Sequence, residues 1–227
     1  MRSLKSIALV ACLASSAVSA QREIVERDSL RDRDGSTSSE LTGRTVGGGA
    51  FVLHPELGYP ALSLSLLYGV TDRFDFGGRF TLGYGAPFGF LLEPRSGAQA
   101  ILRFNFVDVP MFSFGMRLEP GVLFGFAPTD AATLIMPVGL DFGIHPHPVV
   151  NVAFGADVGF GAVLRYGGGV GFVMPVTAGP GVELNLTQRI QLTVNTRFGR
   201  YGYARAPFVV ASNGFGLRAT IGLAFRI

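Results

Sequence analysis

The feature that most constrains this chain is a strict alternation of apolar and polar residues, which returns in run after run. In the stretch 61–84, ALSLSLLYGVTDRFDFGGRFTLGY, apolar residues take every second position from Leu62 to Val70, up to the polar break Thr71-Asp72-Arg73, and mostly aromatic residues resume the alternation after it. A period of two places successive side chains on opposite faces of a strand. Two such runs around a short polar break predict a β-hairpin.

The breaks between the later runs are of two kinds, and the two kinds alternate. The tight breaks fall at 71–73, 107–110, 145–148 and 187–189. The longer breaks, which are richer in Gly, Pro and Arg, fall at 85–96, 127–132, 163–169 and 201–213. Short periplasmic turns that alternate with longer external loops are typical of outer-membrane barrels.

With a glycine-rich first strand over 46–53, the sequence predicts an all-β fold, a transmembrane antiparallel up-and-down β-barrel of about ten strands. Two other strand counts stay open. Eight strands would result if two runs paired outside the barrel. Twelve would result if the runs that contain Pro120 and Pro180 were split, because proline removes a donor from the ladder.

The two faces of the predicted strands differ in charge. The apolar positions carry no charged residue, and the strand charges all fall on the other face. A membrane barrel turns its apolar face to lipid, whereas a soluble barrel buries that face. A mean hydropathy of +0.39 favours the membrane barrel, and no apolar run reaches the ~18 residues of a membrane-spanning helix.

The charged face is therefore predicted to line the lumen. The predicted lumen charges are Asp75, Arg79, Arg103, Arg117, Glu119, Asp141, Asp157, Glu183, Arg197 and Arg218. Unpaired charges are costly in a narrow lumen, so they must pair across the barrel or face water. Many inward positions are glycines, which leave space; among them are Gly115, Gly139, Gly143, Gly155 and Gly181.

The N-terminus reads as a signal peptide over 1–20, with Arg2 and Lys5 before an apolar run and a small-residue cleavage site at Ala20. Cys12, the one cysteine, lies inside this segment, and ordinary cleavage is favoured over lipoprotein acylation there. Residues 21–44 are rich in charge and poor in apolar groups, which predicts a flexible periplasmic tail. The barrel is assigned to 45–227. Without the signal, basic and acidic residues nearly balance, and nothing indicates a nucleic-acid partner.

No catalytic, cofactor or metal site is predicted. Of the three histidines, His54 is expected to start the first external loop, with no serine in sequence reach, and His145 and His147 fall in a periplasmic turn. Zinc needs more ligands than two, and a hydrolase needs histidine beside a nucleophile. The glycine triplets 47–49 and 167–169 lack the lysine and helix of a phosphate-binding loop. We therefore do not expect an enzyme.

Arginines in the longer breaks suggest a lipid partner. Arginine forks suit phosphate groups, so contact with lipopolysaccharide just outside the bilayer is one interpretation, and a merely solvated loop is the other. The residues concerned are Arg95, Arg165, Arg200 and Arg205.

The even strand count, the tight turn YGVTDRFDFG (Tyr68 to Gly77) and the last run ATIGLAFRI (Ala219 to Ile227) resemble small Gram-negative outer-membrane β-barrel proteins of the OmpA/OmpX/OmpW type. The resemblance covers residues 45–227 and concerns architecture. It implies export through the inner membrane, insertion into the outer membrane by the barrel assembly machinery, and no catalytic residues.

Two functions remain open at this point. The first is a small barrel with at most a narrow pore for passive passage of small solutes. The second is a structural or surface-interaction barrel, with a salt-bridge-plugged lumen and no transport. Barrels of about eight strands are filled by side chains and aqueous channels need more, so a count of ten does not decide.

The order of short and long breaks predicts the orientation of the barrel. A protease-cleavable tag at Gly167 should be accessible on intact cells, because that break is predicted to be external, and a tag at His147 should not. Protease treatment of whole cells followed by immunoblotting measures both. Equal accessibility of the two tags would contradict the orientation.

Overall fold

The computed structural model describes residues 39–83, 95–125, 131–165, 170–205 and 209–227. Thr37–Ile227 form one compact unit. The strands within it are β1 (Phe51–Tyr59), β2 (Ala61–Thr71), β3 (Phe74–Gly83), β4 (Arg95–Val109), β5 (Phe112–Leu118), β6 (Gly121–Gly125), β7 (Ala131–His147), β8 (Val150–Arg165), β9 (Val170–Asn185), β10 (Ile190–Arg205) and β11 (Val209–Arg226).

The sheet closes into a barrel because β1 pairs with both β2 and β11, and every pairing is antiparallel. Strands β5 and β6 are two halves of one wall strand, since both lie between β4 and β7. The result is a closed barrel of 10 strands. The predicted fold class, an antiparallel up-and-down β-barrel of about ten strands, is confirmed.

The two prolines that left the strand count open behave differently. Pro120 interrupts the wall strand between β5 and β6, yet its carbonyl accepts a hydrogen bond from Ala100 N–H at 2.8 Å, and Glu119 N–H donates to Pro137 O at 2.9 Å. The ladder therefore continues past the break. Pro180 lies within β9, which runs unbroken. Neither proline splits the barrel, so twelve strands do not form.

The outward face of the wall is apolar. Phe80, Phe154 and Phe198 each expose about half of their surface, while inward Asp75 and Glu183 are fully buried. This distribution is the inverse of a soluble protein and matches a barrel whose outer surface meets lipid.

Several predicted strand ends were wrong. The first strand is 51–59 rather than 46–53, and Pro60 alone connects it to β2, so His54 lies within a strand and not at an external loop. The short and long connections therefore do not alternate strictly. Parts of the predicted loops 163–169 and 201–213 are strand, because backbone pairing continues there. The remaining residues of the predicted loops, within 84–94, 126–130, 166–169 and 206–208, lie outside the described residues.

Among the described residues, no helix has the length and apolar character to cross a membrane.

Because the outward face is apolar, we expect the loss of stability caused by a charge on that face to depend on the depth of the residue in the membrane. Phe104 lies within β4, and Met111 lies in the turn between β4 and β5, where it is 67% exposed. Phe104→Arg should lower the free energy of unfolding by ~2–4 kcal/mol, and Met111→Arg by ~0–1 kcal/mol, because charge on the lipid face is least tolerated at the bilayer midplane. Reversible urea unfolding in lipid vesicles measures both. Equal costs would contradict the placement of Phe104 within the membrane and of Met111 at its surface.

Candidate functional site

Residues 39–46, SELTGRTV, lie inside the barrel and form what we call the lumen segment. Ser39 and Thr42 are 1% exposed, and Val46 is fully buried. The prediction of a flexible tail over 21–44 is therefore wrong for residues 39–44, which are held by the wall. Residues 21–38 lie outside the described part of the chain, and their flexibility stays a prediction.

One anchor of the lumen segment is Glu183 on β9, a carboxylate with no exposed surface. Its oxygens accept from the backbone N–H groups of Glu40 at 2.7 Å and Leu41 at 2.5 Å, and from the Ser39 hydroxyl at 2.8 Å. Asn151 and Gln191 donate to it from the wall at 3.1 and 3.2 Å. Glu183 is thus stabilised by hydrogen-bond donors, and the segment supplies three of them.

A second group of contacts lies on β3 and β4. Asp75 accepts a hydrogen bond from Val46 N–H at 3.0 Å. Arg103 donates to the backbone carbonyls of Ser39, at 2.5 Å, and Arg44. Asn105 Nδ2 donates to the carbonyl of Gly43 at 2.7 Å. Irregular backbone at membrane depth is tolerated only where its polar groups find partners, and these wall side chains provide them.

Two charged side chains of the segment also bind the wall. The Glu40 carboxylate lies 3.5 Å from His54 Nδ1 and 3.6 Å from Arg103 Nη1. Arg44 Nε donates to Asp108 at 2.8 Å. His54 is therefore an inward strand residue, and its ring also hydrogen-bonds Thr193 at 2.9 Å.

The inward glycines that seemed to leave space are filled. A Cβ on Gly43 would lie 2.1 Å from the backbone nitrogen of Gly115, so the lumen segment and β5 touch backbone to backbone. A Cβ on Gly143 would lie 2.4 Å from Thr42 Cβ. Elsewhere, a Cβ on Gly155 would meet the guanidinium of Arg197 at 2.1 Å. These glycines make room for the lumen segment and for arginine side chains.

The chain leaves the lumen through a glycine turn that leads into β1. Gly47 and Gly49 have φ of 88° and 78°, a conformation that favours glycine. Gly49 N–H donates to Gly69 O at 2.8 Å, which ties the turn to β2. The triplet 47–49 is thus a structural turn.

A layer of ion pairs crosses the lumen beside the segment. Arg117 lies 2.8 Å from Asp157, 3.5 Å from Glu119 and 3.7 Å from Asp141. Arg197 approaches the same two aspartates, at 3.4 Å from Asp157 and 3.7 Å from Asp141. The residues come from four different wall strands and from the break at Glu119. We call this set the ion-pair layer.

Two more arginines extend the layer. Arg79 on β3 lies 2.9 Å from Glu119 and 3.9 Å from Glu56 on β1, and Arg218 on β11 lies 3.6 Å from Glu56. Together with Asp75, Arg103 and Glu183, all ten charges assigned to the lumen from sequence therefore lie on the inner side of the wall. Glu56 thus joins the ion-pair layer, whereas Glu40 pairs with His54 and Arg103 at the lumen segment. Sequence analysis missed Glu40, His54 and Glu56 because their strand or segment was placed wrongly.

His145 is held in a chain of hydrogen bonds on the inner wall. Its Nε2 lies 2.9 Å from Ser113 Oγ, its Nδ1 lies 2.8 Å from Asn151 Oδ1, and Asn151 donates onward to Glu183. This is the order of nucleophile, base and orienting group in hydrolases. However, Ser113 is fully buried, and Thr42 packs at Gly143, the cross-strand partner of Ser113. In this structure the chain of hydrogen bonds positions Glu183.

The candidate residues that remain from the sequence are the histidines that could ligate a metal and the four arginines predicted to contact lipopolysaccharide. In the part of the chain that the structure describes, no group of three His, Cys, Asp or Glu side chains is placed to hold a metal ion. His147 Nδ1 accepts from Val149 N–H at 3.2 Å. Arg95 opens β4, and Arg200 is exposed on β10, whereas Arg165 and Arg205 end β8 and β10. Their contact with lipopolysaccharide stays a prediction.

Of the known proteins compared with this chain, only solved structures are similar to it. No protein-family model matches the sequence, and no curated protein matches it. A KdgM porin in complex with disordered oligogalacturonate matches with a TM-score of 0.35 and 7% identity over 78% of this chain and 98% of that chain. A second KdgM porin structure matches with a TM-score of 0.34 and 8% identity over the same shares.

The contacts of Glu183 predict that its charge holds the lumen segment in place. Glu183→Gln replaces an acceptor oxygen by a donor that faces other donors, which should lower the free energy of unfolding by ~1–3 kcal/mol. It should also expose the bond after Arg44, which is 8% exposed in the native protein, to trypsin. Limited trypsinolysis followed by mass spectrometry measures this cleavage.

Asp157→Asn is the matched control, because Asp157 pairs with Arg117 and Arg197 in the ion-pair layer and is not one of the anchors of the lumen segment. It should lower stability without exposing Arg44. If both variants were cleaved after Arg44 at the same rate, a specific role of Glu183 would be excluded.

Proposed function

We propose that this chain is an integral outer-membrane β-barrel protein whose lumen is closed in the resting state. The observation that carries the proposal is the double obstruction of the lumen by the ion-pair layer and by residues 39–46. The apolar outward face supports insertion into a bilayer. Of the two functions that the sequence left open, the barrel with a salt-bridge-plugged lumen fits these contacts best.

The ion-pair layer resists opening because its charges are held by shared partners. Breaking one side of a buried ion pair leaves an uncompensated charge, which costs several kcal/mol. Arg117 contacts three carboxylates, and each of Glu119, Asp141 and Asp157 contacts a second arginine. One ion pair therefore cannot open without disturbing the next, and steady passage of a solute is disfavoured.

Passage of small solutes is the second candidate, and it is favoured because the lumen segment takes no part in the strand pairing that closes the barrel. The barrel closes through the pairing of β1 with β11, which begins at Val52. Departure of residues 39–46 would break no strand ladder. The barrel would then keep its wall and lose one of its two obstructions, so that the ion-pair layer alone would limit the passage of a solute.

The remaining assignments belong to the same proposal. We assign the barrel to the small OmpA/OmpX/OmpW-type proteins, exported with a cleaved signal peptide and inserted by the barrel assembly machinery. We also assign lipopolysaccharide contact to Arg95, Arg165, Arg200 and Arg205, and no enzymatic activity.

Conductance tests the closed resting state. Purified protein in a planar bilayer should show little steady current. The double variant Arg79→Ala with Arg103→Ala should show increased single-channel conductance and a lower melting temperature, because it removes cations from both obstructions.

The double variant Arg73→Ala with Arg189→Ala is the control, since it removes equal charge at exposed positions. It should leave both properties unchanged. A native protein that conducts steadily, and that responds to loss of Arg79 and Arg103 mainly by altered ion selectivity, would refute the closed state and favour an open pore.

A further inference from the structure

The wall groups that hold the lumen segment contact mostly its main chain. Glu183 accepts from two backbone N–H groups of the segment, Asp75 accepts from a third, and Arg103 and Asn105 donate to three of its carbonyls. All four wall residues are buried, with 6% exposure or less. Such an arrangement recognises the backbone of a peptide, whatever most of its side chains are.

A few positions of the segment nevertheless have side-chain requirements. Position 43 must be glycine, because a Cβ there would collide with the backbone of Gly115. Position 39 needs a hydroxyl, since Ser39 Oγ both donates to Glu183 and accepts from Thr42 N–H. Leu41 packs over Gly181, where its Cδ1 lies 3.1 Å from the place that a Cβ of residue 181 would occupy. The site therefore selects the pattern hydroxyl–x–apolar–x–Gly.

The lumen segment is attached to the barrel like a tethered ligand. It adds no strand to the sheet, and the glycine turn at 47–49 joins it to the wall. A short flexible link gives a ligand an effective concentration of the order of mM at its site. A free peptide of the same pattern would have to be present above that concentration to compete with the attached segment for the site, unless the attached segment fitted less well.

We propose that the inner wall around Glu183, Asp75, Arg103 and Asn105 is a peptide-binding site, which residues 39–46 occupy in cis. Its ligand class is a short peptide segment with a hydroxyl residue, an apolar residue and a glycine at the spacing of Ser39, Leu41 and Gly43. This proposal rests on the proposed function, because occupation of the site is one of the two obstructions that close the lumen.

The test uses the full chain and a fluorescent peptide that carries residues 37–48, TSSELTGRTVGG. In the chain variant Gly43→Leu, the attached segment no longer fits, and the site becomes free for the peptide. We expect its apparent Kd by fluorescence anisotropy to be on the order of 100-fold lower for the Gly43→Leu chain than for the native chain, which is the advantage that a tether gives its own ligand.

Two controls separate specific binding from loosening of the barrel. The Gly78→Leu chain carries the same substitution on the outward face, where a Cβ would have only one ordinary contact, at 3.7 Å; it should behave like the native chain. A peptide with leucine in place of glycine at the position of Gly43 should not bind the Gly43→Leu chain. If this leucine peptide and the native peptide bound equally, the proposal would be overturned.

A second variant keeps the proposal testable if the Gly43→Leu chain does not fold. A protease site inserted between the exposed residues Gly48 and Gly49 lets the segment be cut free after the otherwise native chain has folded. The nicked barrel should release the segment on washing and bind the labelled peptide, and Asn105→Ala should weaken that binding. A nicked barrel that loses its segment, remains folded by gel mobility and binds no peptide would refute the site.

The outcomes of the peptide-binding test can be told apart from those of the conductance test. A native protein that conducts steadily would contradict the closed resting state even if the peptide bound. Absence of peptide binding in a protein that stays closed would contradict the peptide-binding site alone.

Discussion

The structure depends on the requirement that the charged side chains turned into the lumen find partners there. Alternation in the strands sends one set of side chains to the outer face and the other set inward, and the inward set carries charges of both signs. In a narrow lumen those charges are stable only when they are paired. Arg117 and Arg197 meet this requirement through the aspartates of neighbouring strands, whereas Glu183 meets it through hydrogen-bond donors from the lumen segment and the wall. The wall and the segment thus stabilise each other.

Glycine makes this arrangement sterically feasible. Where an arginine or a backbone crosses the lumen, it does so over a position without a side chain, as Arg197 does over Gly155 and Gly43 does against Gly115. Interiors are close-packed, so room left by a missing Cβ is filled by a neighbouring group. Gly115, Gly143 and Gly155 therefore lie where the lumen is obstructed, rather than where it is open.

The fold was predictable from the sequence because a period of two is a local signal, and lipid on one side with a polar lumen on the other makes it strong. Strand ends were harder to predict, since pairing continues into Gly- and Arg-rich sequence such as that around Arg165 and Arg205. The lumen segment was missed for a different reason. Its composition matches that of the charged tail before it, and its partner Glu183 lies 144 residues from Ser39. The one available signal was the group of inward glycines on β5, β7 and β9, because room left by missing side chains in a close-packed interior is filled by another group. His54 and Glu56 were missed because β1 continues to Tyr59, whereas the predicted first strand ended at Leu53.

The central claim is that residues 39–46 occupy the lumen in the membrane-embedded protein. Nuclear Overhauser contacts between the α protons of Gly43 and the amide proton of Gly115, recorded on the full chain in lipid nanodiscs, test it most directly. The structure places the backbones of these two glycines in contact, so a strong cross-peak is expected, with chemical shifts of Leu41 and Thr42 well away from random-coil values. Narrow random-coil resonances for residues 39–46, with no contact to Gly115, would contradict the account.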